Sequence, residues 1–194
     1  LGFIGEVSQG CFTEYIAVSE NKLIKVPKDG DLEKVALSEP LAVAMNICRR
    51  ANFKKTDNVA LIGVGPIGLL TILVAKSIYG VENITAVDLS EMRLELAKKV
   101  GAKISTKTLP EGLKFHKVIE AAGSPVTFKA GVEHTEANGF MYVVSIFEKE
   151  FNFDINTLVA SQITLVGCNV YTDLDLKEAV EAIVSNKVDV SPLI

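Results

Sequence analysis

Three glycines, Gly63, Gly65 and Gly68, have the spacing G-x-G-x-x-G, which is typical of a turn that holds a nucleotide phosphate. Gly63 allows the tight turn, Gly65 lets the backbone approach a pyrophosphate, and Gly68 lets the following helix pack closely on the preceding strand. Asp88 follows about twenty residues after Gly68, where such units place a carboxylate that accepts hydrogen bonds from the adenosine ribose. Because a carboxylate there repels a 2′-phosphate, the pattern predicts NAD in preference to NADP.

The sequence around these glycines predicts the elements that position them. Val59 to Ile62 is a short apolar run, an uninterrupted apolar helix follows Gly68, and Ile84 to Val87 begins a second strand. The N-terminus of the helix would meet the phosphates with free N–H groups and the positive end of its dipole. This first half of the expected cofactor site consists of Gly63, Gly65, Pro66, Ile67, Gly68, Asp88 and Arg93.

Two other interpretations of the apolar region are disfavoured. A phosphate loop for nucleotide hydrolysis needs Lys and then Ser or Thr after Gly68, where this chain has Leu69 and Leu70. A membrane span is the second alternative, since no charged residue interrupts residues 59–75. That run is at the short end of the roughly 17 to 25 residues required, and Gly-x-Gly-Pro breaks it. We therefore interpret it as a buried strand and helix.

The composition favours a small-molecule partner. The 194 residues are 48% hydrophobic with a formal charge of −4, and no run of Lys and Arg alternates with aromatic residues. We expect neither nucleic acid nor a membrane as partner. Cys11, Cys48 and Cys168 lie far apart with no C-x-x-C, which argues against a structural zinc site and for a reducing, cytoplasmic compartment. We interpret each as a small buried apolar side chain.

The alternation of strands and helices continues along the chain. Beyond the first two strands, further strands are predicted at residues 103–105, 117–121, 140–146 and 163–167. Six short strands alternating with helices predict an α/β fold with a doubly wound parallel sheet of the Rossmann type, in the order 3-2-1-4-5-6. Ligands bind outside the carboxyl ends of such strands, so the loops after the fourth and fifth strands should line the cofactor. These loops add Ala122, Ser145 and Phe147 to the candidate site.

Other segments carry weaker signals. Helices are predicted at residues 32–37 after an Asp31 cap, 41–51 with Pro40 in the first turn, 91–100 after a Ser90 cap, 124–134, and 174–184 after an Asp173 cap. Residues 106–115 are predicted as a loop. Residues 2–27 are predicted as a small β piece with strands at 12–18 and 23–26.

Five motifs occur in the order and spacing of one protein family: G-C-F-T-E-Y-I-A-V (10–18), K-V-P (25–27), S-E-P-L-A-V-A (38–44), G-V-G-P-I-G-L-L (63–70) and A-V-D-L-S-E-M-R-L-E-L-A-K-K-V-G-A (86–102). The chain resembles the zinc-dependent medium-chain alcohol dehydrogenases, in particular the branch of sorbitol, butanediol and threonine dehydrogenases. The resemblance implies that residues 1–34 are a remnant of a GroES-like catalytic domain. It also implies an NAD-binding Rossmann domain at 35–188 and the start of the return to the catalytic domain at 189–194.

The resemblance also implies where a metal would lie. In that branch the glutamate of Glu-Pro-Leu-Ala lies beside the catalytic zinc, which places Glu39 near the metal of the full-length enzyme. An acid stabilised at a helix start is the alternative explanation of Glu39. The family's zinc cysteine and Gly-His-Glu motif are expected before Leu1. We therefore place no catalytic residue in this chain, and expect it to bind NAD(H) but not to turn over alcohols by itself.

The leading hypothesis is the NAD-binding domain of a zinc-dependent oxidoreductase that moves a hydride between an alcohol or polyol and NAD. The polyol branch often has an arginine after the sixth strand, where this chain has Asn169, Val170 and Tyr171, and the particular alcohol stays open. The alternative is a stand-alone NAD(H)-sensing regulatory module. Residues 163–168 should form an edge strand, and in the family this strand pairs between subunits, so a homodimer or homotetramer is expected.

Overall fold

Six parallel β-strands form one sheet in the computed structural model, which describes residues 4–5 and 8–194. In chain order they are β1 (Asn58–Ile62), β2 (Asn83–Val87), β3 (Ile104–Thr106), β4 (Phe115–Glu120), β5 (Thr135–Val143) and β6 (Thr164–Gly167). They lie side by side as β3-β2-β1-β4-β5-β6, and every neighbouring pair is parallel. The predicted doubly wound α/β sheet in the order 3-2-1-4-5-6 is confirmed. The strand order reverses between β1 and β4.

Helices cover both faces of this sheet. They are α1 (Leu32–Val35), α2 (Ser38–Ala51), α3 (Pro66–Ser77), α4 (Glu91–Lys99), α5 (Pro125–His134), α6 (Asn156–Ser161) and α7 (Asp173–Val184), with short 3₁₀ turns at Glu20–Lys22 and Ser191–Leu193. Successive strand residues face opposite sides, so Val59 and Leu61 join the core under α2, α3, α4 and α7. Ala60 and Ile62 join a second core with Phe128 of α5.

Helix α3 is the apolar run that followed the glycine turn in the sequence. Residues 68–75 are all buried, including Thr71, whose hydroxyl donates to the Ile67 carbonyl oxygen at 2.8 Å. A helix that is apolar on all sides needs neighbours on all sides, which the sheet, α2 and α4 provide. Within the part of the chain that the structure describes, no helix combines the length and apolar character that crossing a membrane requires.

Several boundaries differ from the predictions. Helix α2 begins at Ser38 rather than residue 41, and α6 was not predicted. Strand β5 begins at Thr135, five residues early, because Thr135 pairs with Phe115 before a register shift. The predicted Asp173 cap of α7 is wrong. Thr172 caps this helix: its hydroxyl accepts from the Asp175 N–H at 3.3 Å, and the Asp175 carboxylate accepts from the Thr172 N–H at 2.8 Å.

The strands predicted at residues 12–18 and 23–26 are not formed. A strand needs a partner for its backbone hydrogen bonds, and none of the described strands lies beside these residues. Phe12 and Tyr15 are exposed, so these apolar side chains of the alternating pattern are not buried against a sheet. Residues 2–3 and 6–7 of the predicted β piece lie outside the described residues.

The three cysteines differ in their burial. Cys48 and Cys168 are buried as predicted, whereas the prediction for Cys11 is wrong because its side chain is exposed. Burial raises the pKa of the Cys48 thiol well above its usual value, and the neighbouring Cys168 raises it further. The two buried thiols therefore serve as apolar packing groups.

Candidate functional site

The glycine turn lies at the carboxyl end of β1, beside the point where the strand order reverses. Gly63 has φ +89°, and a Cβ there would lie 2.7 Å from the backbone of Ala121 and Ala122. A Cβ on Gly68 would lie 2.2 Å from the Gly63 carbonyl oxygen. These contacts explain why the turn and the close packing of α3 on β1 require glycine at both positions. Their part in binding a cofactor stays a prediction.

Gly65 differs from Gly63 and Gly68 because a side chain at this position would face open space. Among the described residues beyond its chain neighbours, the nearest atom to a Cβ placed there is Nη1 of Arg93, at 4.0 Å. Gly65 is also the N-cap of α3, with Pro66 at the first helical position, and no side chain caps the helix. The N–H groups of this first turn are therefore left for an anion, which the positive end of the helix dipole also favours.

Asp88 lies just after β2, with its carboxylate facing the glycine turn. Oδ2 accepts a hydrogen bond from the Val64 N–H at 3.0 Å, and Oδ1 accepts from the Ser90 N–H at 2.9 Å. Each oxygen keeps a lone pair for a further donor such as a ribose hydroxyl. The Arg93 guanidinium lies 3.6 Å from Asp88 Oδ2, so the structure brings Gly65, Asp88 and Arg93 together.

The loops after β4 and β5 lie at the same sheet edge. Ala122 is exposed there, while the hydroxyl of Ser145 points inward and donates to the Glu120 carboxylate. The Phe147 ring packs edge-on against Phe128, with ring centroids 6.0 Å apart. Ser145 and Phe147 therefore offer mainly backbone groups to a ligand.

Glu120 was missed by the sequence analysis. It is the last residue of β4, it is fully buried, and it accepts hydrogen bonds from both loops. The signal was available: the strand F-H-K-V-I-E ends in an acid that an apolar strand would not bury without donors.

Glu39, the residue expected near a metal, is exposed at the start of α2. Tyr171 lies beside it: burial raises the pKa of the Tyr171 hydroxyl, and the nearby Glu39 carboxylate raises it further. Asn46 of α2 holds the loop before Tyr171 by donating to the carbonyl oxygens of Asn169 at 3.4 Å and Val170 at 2.9 Å. Glu39 and the loop after β6 therefore lie together.

A zinc site can be tested against these residues. Among residues 4–5 and 8–194, no three His, Cys, Asp or Glu side chains are grouped so that they could hold a metal ion. A catalytic zinc takes three protein ligands, so Glu39 and its described neighbours do not by themselves form a zinc site.

The sheet order and the glycine turn at the β1–β4 junction define a Rossmann-type domain. Residues 66–185 match the family model described as zinc-binding dehydrogenase. The chain therefore belongs to the zinc-binding dehydrogenase family, which confirms the resemblance seen in the sequence.

Individual relatives agree with this assignment. D-xylulose reductase of Saccharomyces cerevisiae is 32% identical over 200 residues, covering 95% of this chain and 56% of that protein. (R,R)-butanediol dehydrogenase of Bacillus subtilis is 34% identical over 185 residues, covering 90% and 53%. The crystal structure of 2R,3R-butanediol dehydrogenase from Bacillus subtilis superposes with a TM-score of 0.88 at 32% identity, covering 99% of this chain and 58% of that one. The chain thus spans about half the length of the curated relatives it matches.

Proposed function

We propose that this chain is the coenzyme-binding part of a zinc-dependent oxidoreductase that transfers a hydride between a small alcohol or polyol and NAD. The observation that carries the proposal is the uncapped N-terminus of α3 at the β1–β4 junction, with Gly65 open in front of it and Asp88 beside it. Membership of the zinc-binding dehydrogenase family favours this function over a stand-alone NAD(H)-sensing module.

The residues present suit a dinucleotide. Gly65, Pro66 and Ile67 would line the pyrophosphate. Because Pro66 has no N–H, the N–H groups of Ile67 and Gly68 in the first turn of α3 would donate to it, and Arg93 adds a positive charge beside them. Asp88 would accept hydrogen bonds from the adenosine ribose hydroxyls. When bound, NAD supplies the nicotinamide carbon that accepts the hydride. The protein's contribution is to orient the two halves of the cofactor across the strand reversal.

Cofactor choice tests this assignment. The Asp88 carboxylate would repel a 2′-phosphate, so the chain should bind NADH more tightly than NADPH. Replacing the carboxylate in Asp88→Ser should reduce that preference by about tenfold, the effect of losing about one charged hydrogen bond. Both cofactors would be titrated by calorimetry.

A matched control uses another acid. Asp154 lies exposed ahead of α6, where its carboxylate accepts from the Asn156 N–H, far along the chain from the glycine turn. Asp154→Ser should leave both affinities unchanged. Equal affinities for NADH and NADPH in the unmutated chain would contradict the role proposed for Asp88, and no binding of either would contradict the proposed function.

The substrate proposal is supported by the relatives, whose names specify D-xylulose and butanediol. We infer a small alcohol or polyol as substrate, and a zinc ion in the full-length enzyme with Glu39 near it. Because the described residues form no zinc site, the 194-residue chain should not reduce NAD with sorbitol, butanediol or threonine, even with added zinc. Zinc-dependent reduction by this chain would contradict that expectation.

Further parts of the proposal concern organisation. We infer that residues 35–188 form the NAD-binding domain, that residues 1–34 and 189–194 belong to the catalytic domain, and that the protein acts in the cytoplasm. Strand β6 pairs only with β5 among the described strands, and its Leu165 side chain is partly exposed. Such an edge can pair with a second copy, so a homodimer or homotetramer is expected. Light scattering at high micromolar concentration would measure the oligomeric state, and a monomer would count against the proposed homodimer or homotetramer.

A further inference from the structure

We infer that Glu120 is a positioning residue of the coenzyme site, whose buried carboxylate fixes the loops after β4 and β5 where the nicotinamide half of NAD(H) would lie. The inference rests on the proposed function.

The carboxylate of Glu120 is satisfied by donors alone. Oε1 accepts from the Ala122 N–H at 3.0 Å and the Gly123 N–H at 2.8 Å, and the Thr127 hydroxyl lies 2.8 Å from the same oxygen. The Ser145 hydroxyl donates to Oε2. Glu120 takes part in none of the ion pairs of the described residues. An ionised carboxylate is an acceptor only, so it suits a ring of N–H and O–H donors.

These donors lie on different elements. Ala122 and Gly123 belong to the loop after β4, Thr127 to the first turn of α5, and Ser145 to the loop after β5. One buried side chain therefore holds together two loops and a helix start that share no strand pairing at this point. Losing it would leave these partly buried donors without their acceptor, which is costly.

The same loops touch the glycine turn. A Cβ on Gly63 would strike the backbone of Ala121 and Ala122, and one on Gly123 would lie 3.2 Å from the Ile146 carbonyl oxygen. The loop after β4 is thus wedged between the turn expected to hold the pyrophosphate and the loop after β5. Displacement of the loop after β4 would alter the path from the pyrophosphate to the far half of the crevice.

The strand order identifies which half of the cofactor this affects. Asp88 follows β2, on one side of the reversal between β1 and β4, and it would hold the adenosine ribose. A dinucleotide crosses the reversal, so its second nucleotide would lie over the ends of β4 and β5. The Glu120 carboxylate and its donors also lie at the ends of β4 and β5. The adenosine half should therefore be insensitive to Glu120.

The test compares two ligands, NADH and ADP-ribose, because ADP-ribose lacks the nicotinamide. In Glu120→Ala the affinity for NADH should fall by about tenfold or more relative to that for ADP-ribose. Ser145→Ala removes one donor. It should also lower the affinity for NADH relative to that for ADP-ribose, but by less than Glu120→Ala does. Glu120→Gln should restore most of the NADH affinity, because its carbonyl can accept at the Oε1 position while its amide donates to the Ser145 hydroxyl oxygen.

The control is a buried acid at the amino ends of the strands, whereas Glu120 lies at their carboxyl ends. Asp57 pairs with Lys117 at 2.6 Å, and Asp57→Asn should lower thermal stability without changing the ratio of the two affinities. An unchanged ratio in Ser145→Ala and in folded Glu120→Ala would overturn the inference, as would an equal shift in Asp57→Asn. If Glu120→Ala does not fold, the affinity ratio in Ser145→Ala decides. Failure of the unmutated chain to bind either ligand would overturn the proposed function as well.

Discussion

Strand β4 carries a buried charge near each end, and the two charges are satisfied in different ways. At the amino end, Lys117 Nζ lies 2.6 Å from Asp57 Oδ2, donates to the Asn52 carbonyl oxygen at 3.0 Å, and lies 5.4 Å from the Phe53 ring centroid. At the carboxyl end, Glu120 has no cationic partner among the described residues and is held by loop donors.

The difference separates scaffold from site. Lys117 ties the end of α2 to the sheet by donating to the Asn52 carbonyl oxygen, and its ion pair with Asp57 neutralises it, so its role is complete without a ligand. The donors to Glu120 lie on loops that border the crevice, where ligands of doubly wound sheets bind. We therefore expect changes at the amino edge to alter stability alone, and changes at the carboxyl edge to alter binding.

The largest effect is expected from Lys117→Met, which leaves the buried Asp57 carboxylate without its cation. Removing one partner of a buried ion pair costs about 3 to 5 kcal/mol of unfolding free energy. Urea unfolding would measure the loss, and the affinity of the folded protein for NADH should not change. The double variant with Asp57→Asn should recover part of the stability. Weakened NADH binding in the folded single variant would break the proposed division between the two edges.

The second effect is expected from Gly68→Ala in the first turn of α3, which packs on the carboxyl end of β1. The added Cβ would lie 2.2 Å from the Gly63 carbonyl oxygen and 2.8 Å from Leu61 Cδ2, so α3 must move away from β1. Overpacking of this kind costs about 1 to 3 kcal/mol. Because the start of α3 moves with it, NADH binding should weaken as well. Wild-type values in both unfolding and calorimetry would show that the packing at Gly68 is looser than the structure indicates.

A third effect is expected from Gly65→Ala and concerns binding. Beyond its chain neighbours, its Cβ would meet no described atom closer than Arg93 Nη1 at 4.0 Å, and its φ of −68° suits alanine. Stability should change by no more than about 1 kcal/mol, the usual range for an N-cap. The new methyl group enters the space where a pyrophosphate would approach, so NADH affinity should fall by at least about tenfold, or roughly 1.4 kcal/mol. Unimpaired binding, measured by fluorescence titration, would move the phosphate site away from Gly65.

The smallest effect is expected from Gly167→Ala at the end of β6. In the part of the chain that the structure describes, a Cβ there meets no atom within 4 Å beyond its chain neighbours. Stability should stay within about 0.5 kcal/mol of wild type, as for surface substitutions in general, and NADH affinity should be unchanged. This variant serves as the glycine control for the two before it, by thermal unfolding and calorimetry. A large loss would mean that β6 is covered in solution, which would support pairing through this edge.

The sequence was sufficient for the parts of the fold that depend on local order. The spacing of Gly63, Gly65 and Gly68 between two apolar runs specifies a strand, a turn and a helix, because the turn and the close packing tolerate no side chain. The helix from Pro125 to His134 was predicted to start at Ser124 and Pro125, because these neighbours in the chain are typical of a helix start. The strand order followed from the alternation of strands and helices.

Errors arose where the outcome depended on distant partners. Residues 12–18 alternate like a strand, yet no described strand lies beside them, and Phe12 stays exposed. Asp173 and Thr172 are both plausible caps by type. The buried Asp175, which also pairs with Arg49 of α2 at 2.7 Å, selects Thr172 through a reciprocal pair of hydrogen bonds.

By itself the sequence determined the glycine turn and the acid at the end of β2, because each depends on residues that are close along the chain, and it determined the order of the strands through the regular alternation of strands and helices. Only the tertiary structure showed that Glu120 binds the loops after β4 and β5 and that Lys117 pairs with Asp57. Their partners are 25 and 60 residues away, respectively, in the pairs Glu120–Ser145 and Lys117–Asp57. A buried charge needs a partner that is close in space. The sequence does not show which distant residue provides that partner, whereas the folded structure does.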